Sequence, residues 1–129
     1  MIDYKAARTK MVDNQIRTTD VTSHEVLDAF LTVPREEFVP AAVKPLAYID
    51  NDIQLAPGRF LMEPSPLAKL IQLADIAPSD IVLEVGCGTD YASALLSKLG
   101  SSVVALESDA ELAASATETL ARLGYDNVA

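Results

Sequence analysis

The 129 residues are 50% hydrophobic but only 5% aromatic, a composition that excludes a disordered or fibrous chain and demands a core of Leu, Ile, Val and Ala. No apolar run reaches the roughly 18–20 residues a bilayer requires, and the charged start Met1-Ile2-Asp3-Tyr4-Lys5 has no apolar stretch behind it, so no signal peptide is visible. The formal charge of −9 divides into −3 up to Pro64 (7 basic, 10 acidic) and −6 from Ser65 onward (3 basic, 9 acidic), which argues against a phosphate backbone as partner.

In chain order, Tyr4 to about Arg17 reads as a polar-faced helix with Ala7, Met11 and Ile16 as sparse apolar contacts. Thr22 opens a second helix, with Glu25 three residues on as a capping box. Val26, Ala29, Phe30 and Val33 follow at i, i+3, i+4, i+7, and Pro34 ends it. From Arg35 to Glu63 the sequence is aperiodic and punctuated by Pro40, Pro45, Pro57 and Gly58, so it is expected to be irregular. The chain divides near Pro64: residues 1–64 form a helical and irregular segment, and 65–129 a β-α-β unit.

Ser65-Pro66 is a helix start by hydroxyl cap and Pro at the first turn, followed by Leu67, Leu70, Ile71 and Ala74 at helical spacing. Ile81–Val85 is an almost continuously apolar run, expected as a parallel strand covered on both faces. A loop from Gly86 to Asp90 leads into a helix marked by Ala92, Leu95, Leu96 and Leu99 and stopped at Gly100. Ser102–Leu106 is a second buried strand, and a third helix starts at Ser108 or Asp109, where Ser108 and Glu111 form another capping box. It uses Ala113, Ala116, Leu120 and Leu123 and stops at Gly124. Asn127-Val128-Ala129 reads as the start of a third strand.

Chemistry concentrates in Glu84-Val-Gly86-Cys-Gly88-Thr-Asp90. Gly86 allows a sharp turn off the strand, and Gly88 lets backbone approach a ligand where a Cβ would block it. Glu107 ends the next strand 19 residues past Gly88, close to the spacing of ~20 at which an acid reaches ribose hydroxyls in such folds. Tyr91 stands where a dinucleotide fingerprint would place its last Gly. Glu84 would face a diphosphate badly, but it suits a ligand with a cationic amino group, as in S-adenosylmethionine. The lone Cys87 cannot form an internal disulfide, which fits a reducing cytoplasm; it is read as a small filler, His24 as a surface side chain, and Asp50 and Asp52 as a solvated loop. No metal site is expected.

Three blocks resemble the protein-L-isoaspartate O-methyltransferases. They are Met11-Val-Asp-Asn-Gln-Ile-Arg17 with Val33-Pro-Arg-Glu-Glu-Phe-Val-Pro40; Ala47-Tyr48 with Asp50, Gly58 and Pro64; and Val82-Leu-Glu-Val-Gly-Cys-Gly88 with Val104-Ala-Leu-Glu107. The resemblance implies an α/β fold of the Rossmann-like (class I) methyltransferase type, a parallel sheet with helices on both faces, here with an N-terminal helical extension and expected to be truncated. It implies S-adenosylmethionine as cofactor, held by Glu84, Gly86, Cys87, Gly88, Asp90 and Glu107. It also implies a protein or peptide carboxylate of an abnormal isoaspartyl residue as methyl acceptor, with neither nucleic acid nor membrane as partner.

The family's acceptor motif is similar to Gly-Gln-Thr-Ile-Ser-Gln-Pro, where this chain reads Gly58-Arg59-Phe60-Leu61-Met62-Glu63-Pro64. Phe60 and Met62 thus occupy the catalytic acceptor positions without hydroxyls, Arg59 is a candidate to pair with the substrate carboxylate, and Glu63 would repel it. Asp90 stands where the family loop has its third Gly, as a helix cap or as bulk and charge beside the cofactor. The alternatives are a non-catalytic or truncated methyltransferase-like binding module, and a methyltransferase with a different acceptor.

Overall fold

The computed structural model describes all residues 1–129. Its first helix, α1 (Tyr4–Met11), is capped by Asp3, whose carboxylate accepts from the Ala6 N–H at 3.0 Å. The expected single helix to Arg17 changes type midway: Val12–Ile16 is a π-helical turn. The apolar pattern explains the change. Met11 and Ile16 are five residues apart, the π repeat, so widening the turn keeps both on one buried face.

Helix α2 (His24–Thr32) starts one residue later than the capping-box reading. Ser23, not Thr22, is the cap; its Oγ accepts from the Val26 N–H at 3.3 Å and donates to Glu25 at 3.1 Å. Thr22 is diverted because its N–H, like that of Ser23, donates to the Gln72 side chain (2.8 and 2.9 Å). Val26, Ala29, Phe30 and Val33 are all buried.

Residues 35–63 are more ordered than their aperiodicity indicated. Two 3₁₀ turns (Arg35–Phe38 and Ala41–Leu46) precede an antiparallel hairpin of β1 (Ile53–Ala56) and β2 (Arg59–Leu61), paired Ile53 to Leu61. Pro57-Gly58 makes the two-residue turn, with Gly58 at φ +71° where a side chain would be strained. Helix α3 (Pro64–Ala74) begins at Pro64, so Ser65 lies inside the helix and does not cap it. Its buried face is Leu67, Ala68 and Ile71; Leu70 is exposed, as is Ala74.

Strands β3 (Ile81–Val85) and β4 (Ser102–Leu106) pair in parallel, Val82 opposite Val103, with α4 (Tyr91–Ser97) as the crossover. After β4 comes α5 (Ala110–Leu123), capped by Asp109 instead of Ser108: its carboxylate accepts from the Glu111 and Leu112 N–H groups at 2.9 and 3.1 Å. Gly124 ends it at φ +80°. The expected third strand begins as a parallel bridge between Val128 and Val103.

The sheet differs from expectation in one respect. Val82, Glu84, Val103 and Ala105 share its packed face, whereas Ile81 (73% exposed), Leu83, Val85, Val104 and Leu106 line an open one. Nothing in this chain lies over that second face. On the packed side the core runs continuously from Met11, Phe30, Val33 and Phe38 to Tyr91, Leu95 and Val103, so the N-terminal segment and the β-α-β unit share one interior. No helix is long and apolar enough to cross a membrane.

Candidate functional site

The β3–α4 loop is held by three hydrogen bonds to two backbone carbonyls. The N–H groups of Gly86 and Cys87 both donate to the Leu106 carbonyl at the end of β4 (2.8 and 3.1 Å), and Thr89 Oγ1 donates to the Phe38 carbonyl at 2.6 Å. Gly86 and Gly88 have φ +75° and +62°, so both need the freedom only glycine has without strain. At Gly88 there is also a contact: a Cβ would lie 3.1 Å from Leu55 Cδ1 on the hairpin.

Glu107 follows β4 directly and its side chain is 2% exposed. The N–H groups of Gly88 (2.8 Å, to Oε1) and Asp109 (2.9 Å, to Oε2) aim its carboxylate at the loop. Arg59, on the hairpin, completes the set: Nη1 donates to Oε2 at 2.8 Å and Nη2 to Oε1 at 2.5 Å. The Arg59 fork and the backbone donors pull the Glu107 carboxyl down to about 2.

Glu84 shows the opposite behaviour. Burial pushes its carboxyl up to about 7; the bond from Ser93 works against this and the neighbouring Asp90 adds to it. The fully buried Ser93 hydroxyl bonds Glu84 and lies 3.2 Å from Asp90 Oδ1. Asp90 sits at φ +73° with no side-chain cap bond, so its carboxylate does not cap α4. Burial raises it as well. Burial and the nearby carboxylates raise the Cys87 thiol, leaving it protonated and unreactive at neutral pH.

The loop therefore offers two carboxylates starved of a cationic partner, Glu84 and Asp90, beside a third that is fully ionised, Glu107. From Glu107 a groove of about 510 Å³ runs along Ala105, Leu106, Ala116, Leu120 and Val128. These acceptors and the apolar groove fit a ligand with a cationic amino acid end, a diol and an apolar ring, and no phosphate. No group of three or more His, Cys, Asp or Glu side chains is placed to hold a metal ion.

A model of the protein-L-isoaspartate(D-aspartate) O-methyltransferase family matches residues 6–129. The chain belongs to that family. A protein-L-isoaspartate O-methyltransferase of Koribacter versatilis is 44% identical over 121 residues, covering 94% of this chain and 54% of that protein. One from Roseiflexus castenholzii is 39% identical over 127 residues, covering 98% and 58%. The chain thus spans about half the length of the curated relatives it matches. A solved protein-L-isoaspartate O-methyltransferase superposes with a TM-score of 0.80 at 28% identity, over 94% of this chain and 40% of its own. A Plasmodium falciparum protein provisionally assigned to the same family, crystallised with S-adenosyl-L-homocysteine, shares the fold at 20% identity, with a TM-score of 0.75 over 99% of this chain and 62% of its own.

The segment expected from the sequence to meet the acceptor, Gly58–Pro64, comprises the turn glycine, β2 and the residues leading into α3. Phe60 (58% exposed) and Met62 (39%) both reach solvent. The Glu63 N–H donates to Asp52 at 2.8 Å, and a hydrogen bond with Asp50 raises the Glu63 carboxyl, so Asp50, Asp52 and Glu63 form one acidic corner. Arg59 points away from that corner, onto Glu107.

Sequence reasoning passed over the residue that holds this segment. Arg35 is fully buried; its Nε donates to the Ala47 carbonyl at 2.6 Å, Nη2 donates to the Met62 carbonyl at 3.1 Å, and the guanidinium stacks 5.0 Å from the Tyr91 ring centroid. Ser93, Thr89 and Leu55 were also missed. A helix-internal Ser three residues past an acid was the available signal for Ser93; Leu55 carries none.

Proposed function

We propose that this chain forms the cofactor side of an S-adenosylmethionine-dependent protein carboxyl O-methyltransferase that methylates the carboxylate of isoaspartyl residues in damaged proteins. The observation that carries the reading is the trio of carboxylates around the glycine loop. Glu107, aimed by two backbone N–H groups, suits a ribose diol. Glu84 and Asp90, both raised by burial, suit an ammonium group that would restore their charge. The Plasmodium relative's S-adenosyl-L-homocysteine supports the same ligand class.

When bound, the cofactor supplies a methyl group on a positively charged sulfur. The chain's own task is then positional. An acceptor carboxylate is already ionised near neutral pH, so it needs alignment more than a general base, in accord with a site that has no His and only a protonated thiol. A cytoplasmic setting belongs to the same reading, supported by the free thiol of Cys87.

A different methyl acceptor is the second reading, favoured by Phe60 and Met62 in place of hydroxyls and by the acidic corner beside them. Calorimetry with S-adenosyl-L-homocysteine and with NAD tests the cofactor: heat from the first alone is expected, and heat from NAD alone would reverse the assignment. Methyl-ester formation on an isoaspartyl peptide tests the acceptor. Cofactor binding without turnover on any acceptor would leave a binding module.

A further inference from the structure

Glu107 has no free acceptor position. A carboxylate accepts about four hydrogen bonds, and here all are taken: two by the Gly88 and Asp109 N–H groups and two by the Arg59 fork. The two pairs of donors differ in kind. The backbone donors belong to the strand end and loop that build the site. Arg59 comes from 48 residues earlier, on a hairpin with an exposed Pro57-Gly58 tip, and its side chain is 32% exposed. Its further contact, to the Gly86 carbonyl, is long at 3.4 Å.

We propose that Arg59 is a displaceable latch: its guanidinium occupies the face of Glu107 that a ribose diol needs, so a nucleoside ligand binds only by expelling it. The proposal rests on the cofactor reading above. A diol offers two hydroxyl donors, and the guanidinium presents two N–H donors to the same two oxygens. The exchange therefore replaces one bidentate set by another, while the Gly88 and Asp109 bonds stay in place. Because Arg59 shares β2 with Phe60, the latch also joins the acceptor hairpin to cofactor occupancy. With Leu55 over Gly88 and Arg59 on Glu107, the hairpin is in the closed arrangement that ligand entry has to open.

The test measures S-adenosyl-L-homocysteine affinity by calorimetry for the wild type, Arg59→Gln and Arg59→Lys. Arg59→Gln is expected to bind about tenfold more tightly, from loss of a competing charge-assisted pair, while its unliganded melting temperature falls. Arg59→Lys, which keeps the charge but not the fork, should lie between. A purely structural staple would lower stability with no gain in affinity. Equal or weaker binding by both variants, with the wild type still binding, overturns the latch alone. No heat with any of the three proteins overturns the cofactor reading and the latch with it.

Discussion

The β-α-β unit from Ile81 to Leu123 and the segment from Arg35 to Glu63 contribute to one site in different ways. In the first, every element is announced locally: an apolar strand, a glycine pair, a helical repeat, a glycine stop. In the second, the elements depend on partners far along the chain. Residues 35–63 stay in place because Arg35 ties Ala47 to Met62, because Tyr48 Oη accepts from Arg8 at 2.8 Å, and because Arg59 reaches Glu107. The loop-and-sheet half presents carboxylates; the segment laid over it supplies the cation that one of them holds. A site can therefore be half written in local periodicity and half in tertiary contacts.

The largest expected effect separates the two regions. Arg35→Met removes the only side-chain donors holding Ala47 and Met62 together from within the core. Two hydrogen bonds from a charged donor are lost, at about 1.5–3 kcal/mol each, and the buried Ala47 carbonyl is left without its partner. Urea unfolding should report that loss. Hydrogen exchange should also show lost protection first in 53–63, with β3 and β4 affected less. Equal loss of protection in both regions would mean that the two are one cooperative unit.

A second effect belongs to the loop alone. Burial lifts the Glu84 carboxyl from 4.5 to about 7. A carboxyl raised on folding stabilises the fold most fully below its unfolded value, and that contribution is lost as pH rises through the folded one. The window thus runs from pH 4.5 to about 7, and the ceiling of the effect is about 3 kcal/mol. The unliganded protein should melt higher at pH 5.5 than at pH 7.5, and Glu84→Gln should flatten that difference. Glu107 has the opposite sign: held near 2, it contributes fully above pH 4.5 and loses that contribution as pH falls from 4.5 to about 2. A melting temperature unchanged across pH 5.5–7.5 in the wild type would show Glu84 to be solvated.

These contrasts explain what could be read from the sequence. Gly86, Gly88 and Glu107 were legible because their spacing follows from the strand–loop–helix geometry itself. Ser23 against Thr22 and Asp109 against Ser108 were ambiguous because adjacent residues can each cap, and the choice rests on tertiary bonds such as Gln72 to both N–H groups at the start of α2. The hairpin was invisible because strands of four and three residues carry no periodicity, although Pro57-Gly58 marked its turn. That this chain itself leaves one face of β3 open was not legible, because an all-apolar strand looks the same whether or not a second layer covers it.

The smallest expected effect falls where the two regions meet the family's pattern and depart from it. Asp90 takes a left-handed conformation at φ +73°, which costs a non-glycine residue about 1 kcal/mol. Its carboxylate is buried between Cys87 and Ser93 without a backbone cap bond to offset that cost. Asp90→Gly relieves the strain, removes a carboxylate that repels Glu84 and restores the loop's third glycine. Stability at pH 7.5 should rise by about 1 kcal/mol or slightly more. The Glu84 carboxyl should titrate lower, since one of the charges raising it is gone. With Asp90 as a partner of the ligand's ammonium, the variant should be more stable yet bind S-adenosyl-L-homocysteine more weakly by calorimetry; tighter binding would show that Asp90 instead adds bulk and negative charge beside the methionine carboxylate of the cofactor. The two measurements together assign the residue: stability reports the backbone, and affinity reports the charge.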